Sequence, residues 1–232
     1  MNKKNLENWV PRTELGRKVL EGEITSIQEI FEKNYVIKEP EIVDYLVPDL
    51  EEALVNIGGV SGKGGGKRRV PIRSTVRMHK SGRRRTLHAM AVVGNKNGII
   101  GVGIARGKDA RSVIEKAIRR AKMNVFPVRR GCGSWECGCK THHSIPMRTV
   151  GKTGSVRVVL MPAPKGVGLV VGDEIKKVMV LAGIKDVWSK TFGDTRTRMN
   201  FVMATINALK NLNKMKISEE DKKRLGVVEG VA

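Results

Sequence analysis

Acidic side chains are almost missing from a long central stretch of this chain, and that scarcity restricts its partners more than any other feature. Between Gly58 and Arg130 there are twenty Lys or Arg but only two acids, Asp109 and Glu115. Nine of those cations fall between Lys67 and Arg85 with no acid among them. Like charges at that density repel one another in a compact state, so a polyanion is the natural complement. Phosphate backbones are the commonest polyanion. Aromatic residues make up only 4% of the chain, which argues against binding single strands mainly by stacking bases on rings. There are three cysteines, all within eight residues, too few and too close for a disulfide framework. No apolar run approaches the length of a membrane span; the longest notable one, Val178–Ile184, suits a core helix. The first residues lack the apolar segment of a secretory signal, and an intracellular protein is expected.

What is present points the same way. At 232 residues with 40% hydrophobic content, the chain can build real cores and is not a disordered basic tail. Its net charge of +21 is unevenly spread: residues 1–57 hold seven bases and twelve acids, whereas residues 58–232 hold thirty-seven bases and eleven acids. The acidic part is expected to face solvent or a protein core, the basic remainder a nucleic acid.

Thr13–Glu21 and Ser26–Asn34 read as short helices, the second opening on the capping-box pair Ser26 and Glu29. Pro40 and Pro48 bracket a third short segment, Glu41–Val47. Leu54–Val60, Thr86–Val93 and Ile99–Ala105 read as strands, the last two joined by a hairpin turn at Gly94-Asn95-Lys96-Asn97-Gly98. A helix then opens at Asp109, with Ala110, Val113, Ile114, Ala117, Ile118 and Ala121 on one face. The glycine-rich loop is expected between the first two strands. Arg129–Pro146 reads as an irregular linker. Beyond it come a strand at Ser155–Met161, a helix capped at Asp173 and stopped by Gly183, and a short strand at Val187–Thr191. A core helix over about Asn200–Leu212 and a last helix opening at Ser218 complete the pattern. The predicted fold is α+β: a helical extension (1–53), a β-β-β-α unit (54–128), a linker (129–150), a second α+β unit (151–215) and a tail (216–232).

The loop from Gly59 to Arg69 is the strongest chemical feature. Glycines let backbone amides approach phosphates closely, while lysine and arginine supply mobile charge and bidentate geometry. With the cations beside it, this gives a candidate RNA-contacting set: Lys63, Lys67, Arg68, Arg69, Arg73, Lys80, Arg83, Arg84 and Arg85. Arg129, Arg130, Lys165, Arg196 and Arg198 extend it along the chain. Nucleotide-binding readings fail on spacing. Arg68 stands where a Walker loop needs Ser or Thr, and the pairs Gly101/Gly103 and Gly166/Gly168 miss the dinucleotide fingerprint and read as turn glycines. Cys132, Cys137 and Cys139, with His142 and His143 just beyond, offer three thiols and an imidazole, a donor set suited to tetrahedral zinc. Either His143 or His142 could be the fourth ligand, and three reduced thiols near an interface is the alternative. No oxyanion loop or orienting acid accompanies them in the sequence, so no enzyme is expected.

Several stretches in order resemble the S-five family of small-subunit ribosomal proteins (universal S-five) in its archaeal and eukaryotic branch. They are Val55-Asn56-Ile57-Gly58-Gly59-Val60, His88–Gly107, Ala110–Asn124, His143-Ser144-Ile145-Pro146 and Gly151–Ser155. Met161-Pro162-Ala163-Pro164, Gly166-Val167-Gly168, Leu181–Asp186 and Asn200–Leu209 continue the match, which covers about residues 54–212. Leu15–Asp44 resembles the branch-specific extension. The resemblance implies a first domain related to the double-stranded-RNA-binding fold and a second domain containing a βαβ unit. It implies a cytoplasmic ribosomal protein on small-subunit rRNA, near the decoding region and the path by which mRNA enters. Neighbours of the S-four and S-eight families are implied as well. The Gly59–Arg69 loop matches the family loop entering rRNA, and Pro162–Gly172 the segment linked to a protein neighbour and to decoding accuracy. The three cysteines stand outside the family's universal pattern.

Overall fold

The computed structural model describes residues 9–62, 64 and 66–230. Three short helices come first. Helix α1 (Glu14–Leu20) is capped by Thr13, whose hydroxyl accepts the Gly16 amide at 3.1 Å. Helix α2 (Ile27–Glu32) carries the expected capping box: Ser26 accepts from the Glu29 amide at 3.4 Å, and Glu29 from the Ser26 amide at 3.2 Å. Helix α3 (Pro40–Leu46) opens on proline, which has no amide to leave unpaired. The buried Glu39 carboxylate gathers the approach to α1, accepting from Trp9 Nε1 and from the amides of Arg12 and Thr13. The apolar faces of this unit pack on Ile99 and Val125 of the next one. The acidic extension therefore docks on its own chain.

The strands of the first unit are β1 (Glu51–Leu54), β2 (Gly58–Ser61), β3 (Lys67–Val70), β4 (Ile72–His79), β5 (Gly82–Gly94) and β6 (Ile99–Gly107). Helix α4 (Ala110–Met123) and strands β7 (Val125–Pro127) and β8 (Arg129–Arg130) follow. An antiparallel sheet runs β1-β5-β6-β7, with β4 also paired to β5; β2 and β3 form a separate hairpin. The strand expected over Leu54–Val60 is broken in two. Val55 is fully buried, the Asn56 amide donates to Glu174 at 2.9 Å, and the Asn56 carbonyl accepts from Arg198 at 2.8 Å. Those partners replace a sheet ladder at that point.

Both faces of β5 are covered from Ala89 to Gly94, which explains the apolar run there. Ala89, Ala91 and Val93 meet Val113, Ala117 and Ala121 of α4, while Met90 and Val92 join the core of the second unit. Gly101 and Gly103 are not turn residues. They lie in β6 directly beneath α4, where a Cβ would come within 2.3 Å of Ala121 O and 2.2 Å of Ala117 O respectively. Helix and sheet approach closely because these side chains are absent.

The second unit contains β9 (Thr149–Thr153), β10 (Val156–Pro162), β11 (Leu169–Val170), α5 (Asp173–Ala182), β12 (Val187–Phe192) and α6 (Arg198–Lys214). Its sheet runs β11-β12-β10-β9, with β11 parallel to β12 and the other pairs antiparallel. Helix α5 starts one residue earlier than expected, with Gly172 as the cap and Asp173 as its first residue, and Gly183 at φ 77° ends it. The 216–232 tail is not a free appendage. Helix α7 (Glu219–Leu225), capped by Ser218, leads to β13 (Val228–Glu229), which pairs antiparallel with β8. Among the described residues no helix is long and apolar enough to cross a membrane.

Candidate nucleic-acid interface and thiol–imidazole cluster

Strands β4 and β5 pair from Ile72↔Ala89 to His79↔Gly82, so the far half of β5 leaves the core and forms a two-stranded arm. Arg73, Arg77, Lys80, Arg83, Arg84 and Arg85 are all exposed on it. Residues directly opposite in an antiparallel pair share a face, so Arg77 and Arg84 stand side by side. Such a pairing is unfavourable without an anion. Arg68 and Arg69 are exposed on β3, in the hairpin whose tip carries the glycines. Lys63 lies outside the described residues, and Lys67 begins β3. Among the described side chains, no cation from Arg68 to Arg85 joins an ion pair.

A groove of about 550 Å³ brings Arg69, Arg196 and Arg198 together beside Asp173 and Glu174. Burial lowers the Arg198 pKa, and the positive charge of Arg69 lowers it further. Lys165 is exposed on the turn before β11. Arg129 and Arg130 do not belong to the basic surface expected of them, because both side chains turn inward, although the buried Arg130 Nε has no partner among the described residues. Arg129 bonds Glu229 at 3.0 Å and the carbonyls of Leu212 and Met215. Arg130 is 2% exposed and donates to Asn97 Oδ1 at 2.7 Å and Gly230 O at 3.3 Å. They hold β13 and the hairpin turn in place. Arg77 is not among the cations singled out from the sequence, although it stands directly opposite Arg84 on the arm. The pairing of β4 with β5 is the signal that singles it out.

The cysteine cluster assembles as a set. One donor atom each from Cys132, Cys137, Cys139 and His143 lies within 4.8 Å of every other. His142 is exposed and lies outside the group. Cys132 follows β8 and is anchored by its amide to Leu225 O at 2.7 Å, while the Gly131–Ser144 bridge brings His143 alongside. His143 is buried; its Nδ1 lies 2.8 Å from Asp186 Oδ2, and its Nε2 is 4.0 Å from Cys137 Sγ. Burial pushes the Cys132 thiol up to about 11, reinforced by Cys139 and Cys137. A hydrogen bond with the Thr141 hydroxyl draws Cys139 down to about 6.

Asp186 is an orienting acid that the sequence does not reveal, because it lies 43 residues beyond His143. Its other oxygen accepts the amides of Gly166 at 3.1 Å and Gly168 at 2.8 Å, so one carboxylate ties the cluster to the Pro164–Gly168 turn. A Cys–His–Asp line therefore exists. Three thiols surround the imidazole, however, rather than the single activated nucleophile of a catalytic pair.

Comparison with known proteins fits this architecture. The family model for the N-terminal domain of ribosomal protein S5 matches residues 66–129, and that for its C-terminal domain matches residues 151–224. Small ribosomal subunit protein uS5 of Methanocaldococcus jannaschii is 53% identical over 226 residues, covering 97% of each chain. The protein of the same name from Pyrobaculum aerophilum is 53% identical over 213 residues, covering 92% of this chain and 91% of its own. That of Methanothermobacter thermautotrophicus is 50% identical over 223 residues, covering 96% of each. With an exposed cationic arm, two matched domains and near full-length similarity, the chain belongs to the S5 family of ribosomal proteins, structural and non-enzymatic components of the small subunit.

Proposed function

We propose that the chain binds small-subunit rRNA through the β2–β3 hairpin and the β4–β5 arm, near the decoding region and the path by which mRNA enters. The carrying observation is the arm itself, whose arginines are exposed and have no internal counter-charge among the described side chains. Phosphate supplies that counter-charge, and the rigid pairing of β4 with β5 fixes which arginines meet it. Recognition is by shape and phosphate, since folded RNA offers few readable major-groove edges. The resemblance of the Gly59–Arg69 loop and the Pro162–Gly172 segment to their family counterparts supports the location. It also supports roles in translational accuracy and subunit assembly, and contacts with S-four and S-eight neighbours.

A photo-crosslinking residue placed at Val76 or Arg77 in intact small subunits tests this reading. Crosslinks to rRNA near the decoding region are expected. Crosslinks only to protein, or a chain that sediments apart from small subunits, would overturn it.

A further inference from the structure

We propose that Cys132, Cys137, Cys139 and His143 form a closed, structural zinc site that staples the linker to the second unit and to α7. Three soft thiols and one imidazole are the donors zinc prefers, whereas magnesium and calcium take oxygen. Their mutual separations, none above 4.8 Å, exceed by only about 1 Å the edge of a tetrahedron with Zn–S bonds of about 2.3 Å. Small rotamer changes close that gap.

The imidazole is prepared for a metal. With Nδ1 donating to Asp186, the Nε2 lone pair faces the thiols, which is the usual carboxylate support of a metal-bound histidine. Four protein donors leave no open position, so the site holds structure and does not activate water. Zinc displaces the thiol protons, and three thiolates with one neutral imidazole bind the ion as a set.

The segment also needs a clip. Between the isolated bridge residues Gly131 and Ser144 the described backbone forms neither helix nor strand, and Trp135 is 90% exposed. A stretch of that length without regular structure is uncommon in a compact domain unless something else orders it. The three cysteines are unpaired with one another in the structure. The clip would also reach outward. Cys132 holds Leu225 through its amide, and His143 holds the Gly166–Gly168 turn through Asp186.

The test uses the full chain, untagged and purified without chelators. Elemental analysis should find about one zinc per chain. Replacement by cobalt(II) should give the intense visible bands and thiolate charge-transfer absorption of a tetrahedral S₃N site. Cys139→Ser, at a partly exposed position, and His143→Ala should each lose most of the metal, while His142→Ala should keep it. Bound thiols should resist alkylation until a chelator is added, and the 132–143 segment should then become protease-sensitive. Only trace metal after zinc reconstitution, an octahedral cobalt spectrum, metal retained in both Cys139→Ser and His143→Ala, or a Cys–Cys disulfide in the purified chain would each overturn the proposal.

Discussion

The Nζ of Lys122 lies 2.7 Å from Asp44 Oδ1, and Glu52 Oε1 shares the same ammonium at 3.0 Å. The lysine belongs to the basic helix α4, yet its side chain is only 3% exposed, and the acids come from α3 and β1. The charge asymmetry between the two ends of the chain is thus partly resolved within the chain. Replacing Lys122 by Met keeps the bulk and removes the charge, leaving two partly exposed carboxylates without it. A loss of about 1–3 kcal/mol is expected, measured by urea denaturation, with faster proteolysis within the N-terminal helices.

Burial by itself would lower the Lys122 pKa, but the hydrogen bonds and charges of Asp44 and Glu52 outweigh it and raise the value above the usual 10.5. A raised folded pKa means that the contribution is fully present below the unfolded value and is lost as pH climbs through the folded one. The stability difference between wild type and Lys122→Met should stay flat through neutral pH and shrink only above about pH 10. A difference that vanished near neutrality would contradict this account.

Substituting Gln for Arg73, Arg77 and Arg84 together should weaken rRNA binding and flatten its salt dependence. The slope of log affinity against log salt should fall by about 0.7–0.9 for each phosphate that the variant leaves unneutralised. Arg130→Gln should behave in the opposite sense. It should lower stability by loosening β13 and the Asn97 turn, with the salt slope of the folded fraction unchanged.

At Gly103 the prediction is steric. An alanine Cβ would meet Ala117 O at 2.2 Å and Ala121 N at 2.3 Å, backbone atoms that cannot rotate away. Helix α4 would have to lift from β6, at a cost of about 1–3 kcal/mol or more. Gly59, where the nearest atom would be 4.0 Å away, should accept alanine with little change in the denaturation midpoint.

Asp186→Asn probes the link between the cluster and the turn. The carboxylate serves His143 with one oxygen and the Gly166 and Gly168 amides with the other, whereas an amide has a single acceptor oxygen. One side must lose its partner. Hydrogen exchange at Gly166 and Gly168 should speed up, or affinity for the proposed zinc should drop by about 10–100-fold.

Local signals make much of this fold readable. Ser26 with Glu29, the stripe of Val113, Ala117 and Ala121, and the Asn95–Gly98 turn each encode their structure within a few residues. Asn95 Oδ1 accepts the amides of Asn97 and Ile99, so that turn is written in one side chain. Strand β4 escapes a sequence reading because its charge draws attention from the alternation of Ile72, Ser74, Val76 and Met78, which runs at the strand period. Strand β1 begins with two glutamates and does not read as a strand. The cysteines are visible as a group, but the nearness of His143 to them and to Asp186 appears only in the tertiary fold. Arg129 and Arg130 look like their exposed neighbours because nothing local announces a strand arriving from a hundred residues away.

That distant strand sets an order of events during synthesis. The segment after residue 130 cannot reach its final arrangement until the chain has been made through about residue 230, since Arg130 waits for the Gly230 carbonyl and Cys132 for that of Leu225. Polypeptides stopped short of α7 lack the Leu225 carbonyl that anchors the Cys132 amide.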